Sequence, residues 1–353
     1  FTASTFLLSE IPMTVFCTRP CCTPGARFLA SLALLFLSSF ASVSLAQSVP
    51  SNGKLKVFVL AGQSNMQGHG VIELNPERNE GKGSLEYLVK NNPKKYGHLV
   101  GPGGKWKPRK DVWIWYLDRK GELNAGYGAN ENLIGPELQF GHVMGDHFED
   151  QVLIIKTAWG GKSVAVDFRS PSAGKTGPEF SEKFLEELKG QPDKVGFYYR
   201  EMLKLTRGVL DDIRGQFPKY GGKGYELLGI AWHQGWNDRV NQGFNDHYRD
   251  NLACMIRDLR KDLARPGLPF VLAETGMSGF EEKHPRAVSL MKHQAAVAEL
   301  PEFRGNVGFV GTRAFFRPRE DSPSGQAYHW NTNAETYCLI GEGLARSLIQ
   351  LLD

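Results

Sequence analysis

The chain has 353 residues, of which 41% are hydrophobic and 23% charged, a composition typical of a globular protein with a large core. This composition excludes collagen-like proteins, disulfide-framework proteins and largely disordered chains. The net charge is only +4 and no long basic run is present, so we expect no nucleic-acid partner.

The N-terminal segment has the pattern of a secretory signal peptide. An apolar run at 28–40 follows Arg19 and Arg27, and Ser-Leu-Ala at 44–46 supplies a cleavage pattern of small residues. The run is too short to span a bilayer, although a membrane anchor or a buried helix is the alternative interpretation. We therefore expect residues 1–46 to be removed and the protein to be exported to the periplasm or the extracellular space, without stable membrane insertion. The mature domain would then comprise residues 47–353.

Buried-strand patterns alternate with helical patterns along this mature domain. Runs that are apolar on both faces indicate parallel strands covered by helices on both sides. The alternation predicts an α/β fold, a three-layer doubly wound sandwich around a parallel five-stranded sheet. The five predicted strands are Lys56–Ala61, Gln151–Thr157, Glu226–His233, Leu268–Glu274 and Asn306–Thr312.

One segment, Glu73–Leu133, interrupts this alternation. It is rich in Gly, Lys and Asn and contains the aromatic stretch Val112–Leu117. We interpret it as an insertion over the carboxyl edge of the sheet, with a hairpin inside it. A connection of this length predicts a role in substrate binding or as a lid.

The first predicted strand is followed by Gly-Gln-Ser-Asn-Met at 62–66. A serine on such a turn can expose its hydroxyl beside backbone N–H groups, which suits a nucleophile whose own amide binds an oxyanion. The motif is not the GxSxG elbow, because Met66 stands at the position of the last glycine. Ser64 could equally serve as a helix cap.

Glycines and amide side chains follow the next two strands. Gly160 and Gly161 would let the backbone approach a ligand closely, or they would simply form a tight turn. Lys156 occupies the position where a phosphate-binding loop needs glycine, so a nucleotide site is excluded. Gln234 and Asn237 carry amide donors that could stabilise negative charge on a substrate oxygen, or bond within their loop.

His329 lies on the loop before the last predicted helix, and this loop should reach the same edge of the sheet as Ser64. Most histidines in such a chain are merely satisfied polar residues, but this position favours a general base. We expect its ring to come within hydrogen-bond reach of the Ser64 hydroxyl. Thr332 and Glu335 have the spacing of a capping box for the last helix.

These four blocks together resemble the SGNH hydrolase superfamily, and within it the sialate O-acetylesterase-like proteins and carbohydrate esterase family six, which includes acetylxylan esterases. The blocks occur in the family's order between Gly62 and Glu342. The resemblance implies a flavodoxin-like sheet. It also implies Ser64 as nucleophile and His329 as general base.

The resemblance further implies an oxyanion hole. Its donors would be the Ser64 amide, a glycine amide from Gly160 or Gly161, and the side chain of Gln234 or Asn237, with Gln234 preferred. The family pattern HQGE is broken here by Trp236, whereas the superfamily's GxND is present at 235–238.

The main departure from the family concerns the acid that orients the histidine. The superfamily usually has Asp three residues before the histidine, a position that Gln326 occupies here. The loss of this acid should slow the reaction unless another group replaces it. Gln326 itself, Asp321, Asp238 or Glu274 could orient the imidazole, and the sequence favours none of them.

Two classes of function follow. The first is a secreted serine esterase that removes O-acetyl groups from sugars of the acetylxylan or sialate type, through an acetyl-Ser64 intermediate. The second is a carbohydrate-binding protein that has lost turnover with the missing acid. An acetylated carbohydrate is the expected partner in both. The tryptophans that could stack on sugars are Trp113, Trp115, Trp159 and Trp236.

We expect no cofactor and no metal. Neither HExxH nor a carboxylate cluster supports a metal-dependent hydrolase, and the mature domain contains only Cys254 and Cys338, outside any zinc-binding spacing. These two cysteines could pair in an oxidising compartment, but two buried free thiols are the preferred interpretation.

Overall fold

The fold is that of a computed structural model, which describes residues 53–191 and 193–353. The predicted signal peptide lies outside these residues. Within them, both cysteines of the mature domain are free: Cys338 is buried, as expected, whereas Cys254 is partly exposed. No helix in this part of the chain combines the length and the apolar character needed to cross a bilayer.

A mostly parallel sheet forms the centre of the molecule. Each of the five predicted strands is present, and two further strands make the sheet seven-stranded, in the order β4-β3-β6-β1-β7-β8-β9. The five predicted strands alone run in the order 2-1-3-4-5, which is the flavodoxin-like doubly wound order. The strands are β1 Leu55–Gly62, β2 Gly70–Val71, β3 Arg109–Tyr116, β4 Arg119–Leu123, β5 Leu133–Ile134, β6 Val152–Ala158, β7 Tyr225–His233, β8 Phe270–Ala273 and β9 Val307–Val310.

The two additional strands correct the interpretation of the insertion. Its hairpin, β3 and β4, does not lie over the carboxyl edge of the sheet but extends its side, with β3 parallel to β6 and β4 antiparallel to β3. The aromatic stretch inside this segment, which was predicted to bind substrate or to act as a lid, is therefore a sheet strand. The apolar side chains that made it conspicuous, Val112 and Ile114 among them, are fully buried in the core.

Helices cover both faces of the sheet because alternate strand residues point to opposite sides. On β1, Val57 and Val59 belong to one apolar cluster with α10, whereas Phe58 and Leu60 belong to another with α4 and α12. The helices are α1 Ser64–Gln67, α2 Leu85–Asn91, α3 Pro93–Tyr96, α4 Glu137–His147, α5 Glu182–Lys189, α6 Phe197–Asp211, α7 Ile213–Gln216, α8 Trp236–Arg239, α9 Gln242–Asp246, α10 Tyr248–Asp262, α11 Pro285–Ala298 and α12 Ala334–Leu352.

The strand register brings three chain turns together at one edge. Gly62, the last residue of β1, pairs with Ala158 of β6 and His233 of β7, so the segments that follow these strands begin side by side. Gly62 has φ +150°, and a Cβ there would lie 2.2 Å from the His233 carbonyl oxygen. Only glycine fits this crossing point.

Candidate active site

Ser64 is the first residue of α1, directly beyond the end of β1. Its N–H therefore has no partner within the helix, and the residue is partly exposed. The cap position of this one-turn helix is Gln63, so Ser64 is not the helix cap considered above. Among the residues that the structure describes, no hydrogen bond engages the Ser64 hydroxyl, which leaves it available for chemistry.

Gly160 lies beside Ser64. A Cβ built on Gly160 would be 3.8 Å from the Ser64 Cβ and 2.9 Å from Gln67 Oε1, so a side chain there would crowd the site. Gly161 has φ +70°, a conformation that favours glycine. Within the described ranges, the N–H groups of both glycines lack a hydrogen-bond acceptor. They are thus free to donate to a substrate oxygen.

Gln63 positions Asn237. The Gln63 side chain is buried, and its Oε1 accepts from the N–H groups of Gly235 (3.1 Å) and Asn237 (3.3 Å). Its Nε2 donates to Asn237 Oδ1 at 3.3 Å. Asn237 Nδ2 in turn donates to the Gly161 carbonyl at 2.9 Å. One N–H of the Asn237 amide is used there, and the other has no partner in the described part of the chain.

Gln234, in contrast, is committed to internal contacts. It is almost fully buried, and its Nε2 donates to the Lys162 carbonyl at 2.9 Å and to Asp238 Oδ2 at 2.5 Å. Both amide protons are therefore used, and none remains for a substrate. The preference for Gln234 over Asn237 as an oxyanion donor does not agree with this geometry.

Asp238 anchors the loop after β6. Its buried carboxylate accepts from the N–H groups of Val164 (2.9 Å) and Ala165 (3.0 Å) as well as from Gln234. Burial raises the pKa of Asp238 to about 7, although these donors oppose the shift. The residue thus shapes the glycine loop and makes no contact with His329.

The loop that carries His329 is tied to the neighbour of Ser64. Asn65 Nδ2 donates to the Tyr328 carbonyl at 3.0 Å. Tyr337 Oη, from α12, lies 2.9 Å from Asn65 Oδ1 and 3.3 Å from the His329 carbonyl oxygen. The structure therefore brings the serine turn and the histidine loop to the same edge of the sheet.

The expected hydrogen bond between Ser64 and His329 is not formed. In the described ranges, the His329 ring has no hydrogen-bond partner at all. Its contacts are aromatic: the His69 ring stacks on it with centroids 3.7 Å apart and planes at 8°, and the Tyr328 ring lies 4.4 Å away. Burial, together with the neighbouring His69, lowers the pKa of His329 to about 4.

None of the four candidate orienting groups meets the His329 ring. Gln326 is exposed, and its contact with His329 is between backbone groups: the Gln326 carbonyl accepts from the His329 N–H at 2.8 Å. Asp321 is exposed beside Lys82, and Asp238 anchors the glycine loop. Glu274 is buried, accepts from the Thr312 N–H and lies 3.2 Å from Arg313 Nε.

A buried ion pair lies beneath the serine turn, and the sequence analysis missed its role. Lys156 Nζ donates to Glu137 Oε2 at 2.7 Å, with both side chains fully buried. The same ammonium donates to the carbonyls of Gln67 (2.6 Å) and Tyr127 (2.7 Å). Burial lowers the pKa of Lys156 to about 8 and raises that of Glu137. A lysine inside an otherwise apolar strand was the available signal.

Two of the four tryptophans lie near the site. Trp159 contacts Tyr198 at 5.1 Å beside the glycine loop, and Trp236 contacts Tyr328 at 5.6 Å beside His329. Trp113 instead stacks on Phe217 inside the core, which contradicts a sugar-binding role, and Trp115 packs against the same cluster.

The remaining predictions concern the start of the last helix and a metal site. Asn333, rather than Thr332, caps α12, since its side chain accepts from the N–H groups of Glu335 and Thr336. Glu335 instead pairs with Arg317 at 2.7 Å. In the described part of the chain, no group of three or more His, Cys, Asp or Glu side chains is arranged to hold a metal ion.

Comparisons with known proteins point to one family. The profile described as "Carbohydrate esterase, sialic acid-specific acetylesterase" matches residues 54–350. No curated protein matches. A solved structure of an Arabidopsis thaliana protein is similar with a TM-score of 0.52 and 17% identity, covering 83% of this chain and 97% of that one, which supports the fold.

Two further solved structures are more distant. A carbohydrate acetylesterase from Xanthomonas citri has a TM-score of 0.46 and 14% identity, covering 82% of this chain and 56% of that one. A Corynascus carbohydrate esterase family 2 enzyme with a carbohydrate-binding domain has a TM-score of 0.40 and 14% identity, covering 87% and 68%.

Proposed function

Since the chain belongs to the sialic acid-specific acetylesterase family of carbohydrate esterases, we propose that Ser64 carries the acetyl group during catalysis. Family membership makes the protein a carbohydrate O-acetylesterase, a carboxylic ester hydrolase whose substrate is an acetylated carbohydrate. The proposal adds the catalytic residues, the covalent intermediate, export and the kind of sugar.

In the proposed mechanism, Ser64 Oγ attacks the acetyl carbonyl while His329 takes the hydroxyl proton. The developing oxyanion accepts hydrogen bonds from the Ser64 N–H, a glycine N–H at 160 or 161, and the free N–H of Asn237 Nδ2. His329 then returns the proton to the departing sugar oxygen, leaving acetyl-Ser64. A water molecule, deprotonated by His329, then attacks this ester, and acetate is released as His329 returns the proton to Ser64 Oγ.

The tether between the two loops carries the proposal. The Asn65–Tyr328 hydrogen bond of 3.0 Å joins the residue after Ser64 to the residue before His329. This contact keeps the segments that carry the two proposed catalytic groups next to each other. Catalytic hydrogen bonds often tighten only when substrate binds, so we expect the Ser64–His329 hydrogen bond to form in the complex.

For the substrate, we propose an exported enzyme that acts on an O-acetylated anionic sugar of the sialate type rather than on acetylxylan. Each aromatic pair near the site is accompanied by a cation: Lys162 Nζ lies 4.3 Å from the Tyr198 ring centroid, and the Arg239 guanidinium lies 4.4 Å from that of Trp236. Aromatic rings stack on sugars, and the cations would attract a carboxylate.

A second candidate is a carbohydrate-binding protein with little turnover. The observation that favours it is the His329 ring, which has no carboxylate or other hydrogen-bond partner in the described residues. The imidazolium formed during the reaction would therefore lack its usual stabilisation.

The test is hydrolysis of p-nitrophenyl acetate by the purified mature chain, compared with Ser64→Ala. The matched control is Ser172→Ala, which removes an exposed serine hydroxyl elsewhere. We expect wild type and the control to hydrolyse the ester and Ser64→Ala to fall to background. Equal rates for wild type and Ser64→Ala would overturn the proposal. Release of acetate from O-acetylated sialic acid and from acetylxylan then decides the sugar class.

A further inference from the structure

His69 is the closest ring neighbour of the proposed catalytic base. The two imidazoles stack almost in parallel, with centroids 3.7 Å apart and planes at 8°, while Tyr328 closes on the His329 ring at 58°. His329 thus has a flat aromatic partner over its ring face and, among the described residues, no carboxylate hydrogen-bonded to its ring nitrogens. Its ring orientation depends on stacking.

The backbone holds His69 firmly in this place. Gly68, with φ +91°, ends α1 through its N–H to the Ser64 carbonyl at 2.8 Å, and its own carbonyl accepts from Ala129 at 2.9 Å. On the other side, Gly70 pairs with Ile134 in the small β2–β5 sheet. His69 is therefore fixed between two anchored residues, five positions after Ser64.

His69 also stays uncharged at neutral pH. Burial and the positive charge of the nearby Lys156 lower its pKa to about 4, and its buried Nε2 has no hydrogen-bond partner among the described residues. The neutral ring offers its flat face for stacking, which is the contact that it makes with His329.

We propose that His69 is a positioning residue that takes over the orienting role of the missing acid, holding the His329 ring in place by stacking. This inference rests on the proposed function of Ser64 and His329. The chemical step itself is unchanged: the Ser64 Oγ–carbonyl bond forms as the hydroxyl proton moves to His329, and His69 neither gains nor loses a proton.

The experiment compares His69→Phe with His69→Leu. Both replacements fill the space of the imidazole, but only phenylalanine keeps a flat aromatic face, and neither can hydrogen-bond. We expect His69→Phe to retain kcat within about threefold of wild type, and His69→Leu to lose about ten- to a hundredfold in kcat with KM nearly unchanged. His98→Ala is the matched control, because it removes one ring of another imidazole pair, with His142, away from the site.

Melting temperatures of the two variants show whether each is folded, and rates are compared per folded molecule. Equal kcat values for the Phe and Leu variants would overturn the proposal, since His69 would then act only by filling space. Loss of activity in both variants would overturn it too, because a nitrogen of His69 would be required. If Ser64→Ala keeps wild-type activity, the proposed function fails, whatever the result at position 69.

Discussion

The two halves of the candidate site are built in different ways. The nucleophile half, comprising Ser64, the glycines at 160–161 and Asn237, stands on the ends of three adjacent strands and is held by hydrogen bonds through Gln63. The histidine half, Tyr328–Thr332, is a loop in which three consecutive non-glycine residues, starting at Trp330, have φ between 53° and 56°. The ring of His329, the proposed base, stacks on the ring of His69.

This difference teaches where rigidity comes from in this molecule. The sheet supports the nucleophile half, because the register of β1, β6 and β7 makes the turns beyond these strands begin side by side. The histidine half includes backbone conformations that cost about 1–3 kcal/mol each and depends on surrounding contacts to maintain them. Substitutions around Ser64 should therefore act by removing hydrogen-bond donors. Substitutions around His329 should act by changing the orientation of its ring.

The largest expected effect comes from removing the imidazole of His329, the proposed general base. His329→Ala should lower kcat for p-nitrophenyl acetate by about 10⁴-fold or more, because it removes the proposed base that takes the serine proton. His147→Ala, at the exposed end of α4, is the control and should leave kcat unchanged. A loss of less than tenfold in His329→Ala would show that another base operates.

The next largest effect is expected from the buried Lys156–Glu137 ion pair beneath the nucleophile half, and it concerns the free energy of unfolding. Lys156→Met leaves the fully buried Glu137 without its ion-pair partner and should lower the free energy of unfolding by about 3–5 kcal/mol, measured with urea. Lys54→Met breaks a surface pair with Glu226 and should cost less than about 1 kcal/mol. Similar costs for the two variants would contradict a structural role for the buried pair.

Within the nucleophile half, Asn237 and Gln234 should differ in what their loss affects, catalysis for the first and stability for the second. Asn237→Ala should lower kcat per folded molecule by about 10²–10³-fold, because it removes an oxyanion donor. Gln234→Ala should mainly lower stability, since its amide protons bond to Lys162 and Asp238. Kinetics and melting temperatures for both variants check this, and the reverse pattern would return the oxyanion role to Gln234.

The smallest expected effect concerns the pH at which activity is lost in acid, which should be low because the pKa of His329 is low. A general base must be unprotonated, so kcat/KM falls as the pH drops through its pKa in the free enzyme. Since the pKa of His329 is lowered from 6.5 to about 4, the rate should stay nearly constant from pH 7 to about 5.5 and halve near pH 4. A midpoint near 6.5 would mean that a carboxylate or solvent reaches the ring.

The sequence was a good guide to everything that local pattern controls. Buried apolar runs located the five central strands, and the position of Ser64 after the first of them placed it at the correct edge. The hairpin at 109–123 was misplaced, because an apolar strand reads alike whether it extends a sheet or covers it. Thr332 was misjudged as a cap because Asn333, one residue later, competes for the same helix end.

What the sequence could not provide were contacts between distant segments. Gln234 and Asn237 carry the same amide group, so the sequence does not distinguish them as donors. In the fold, the Lys162 carbonyl and the Asp238 carboxylate accept both N–H groups of the Gln234 amide. The stacking of His69 on His329 joins residues 260 positions apart, so no spacing rule reveals it. The absence of the acid was visible in the sequence, whereas the ring contact from which we propose His69 as its replacement is visible only in the fold.

Trapping of the covalent intermediate tests the central claim most directly. The mature chain is mixed with p-nitrophenyl acetate, quenched in acid within the first turnovers and digested, and the peptides are analysed by mass spectrometry. The account predicts one acetyl group on the peptide containing Ser64, and none on that peptide in Ser64→Ala. Turnover without any acetyl group on Ser64, or with the group on another residue, would contradict it.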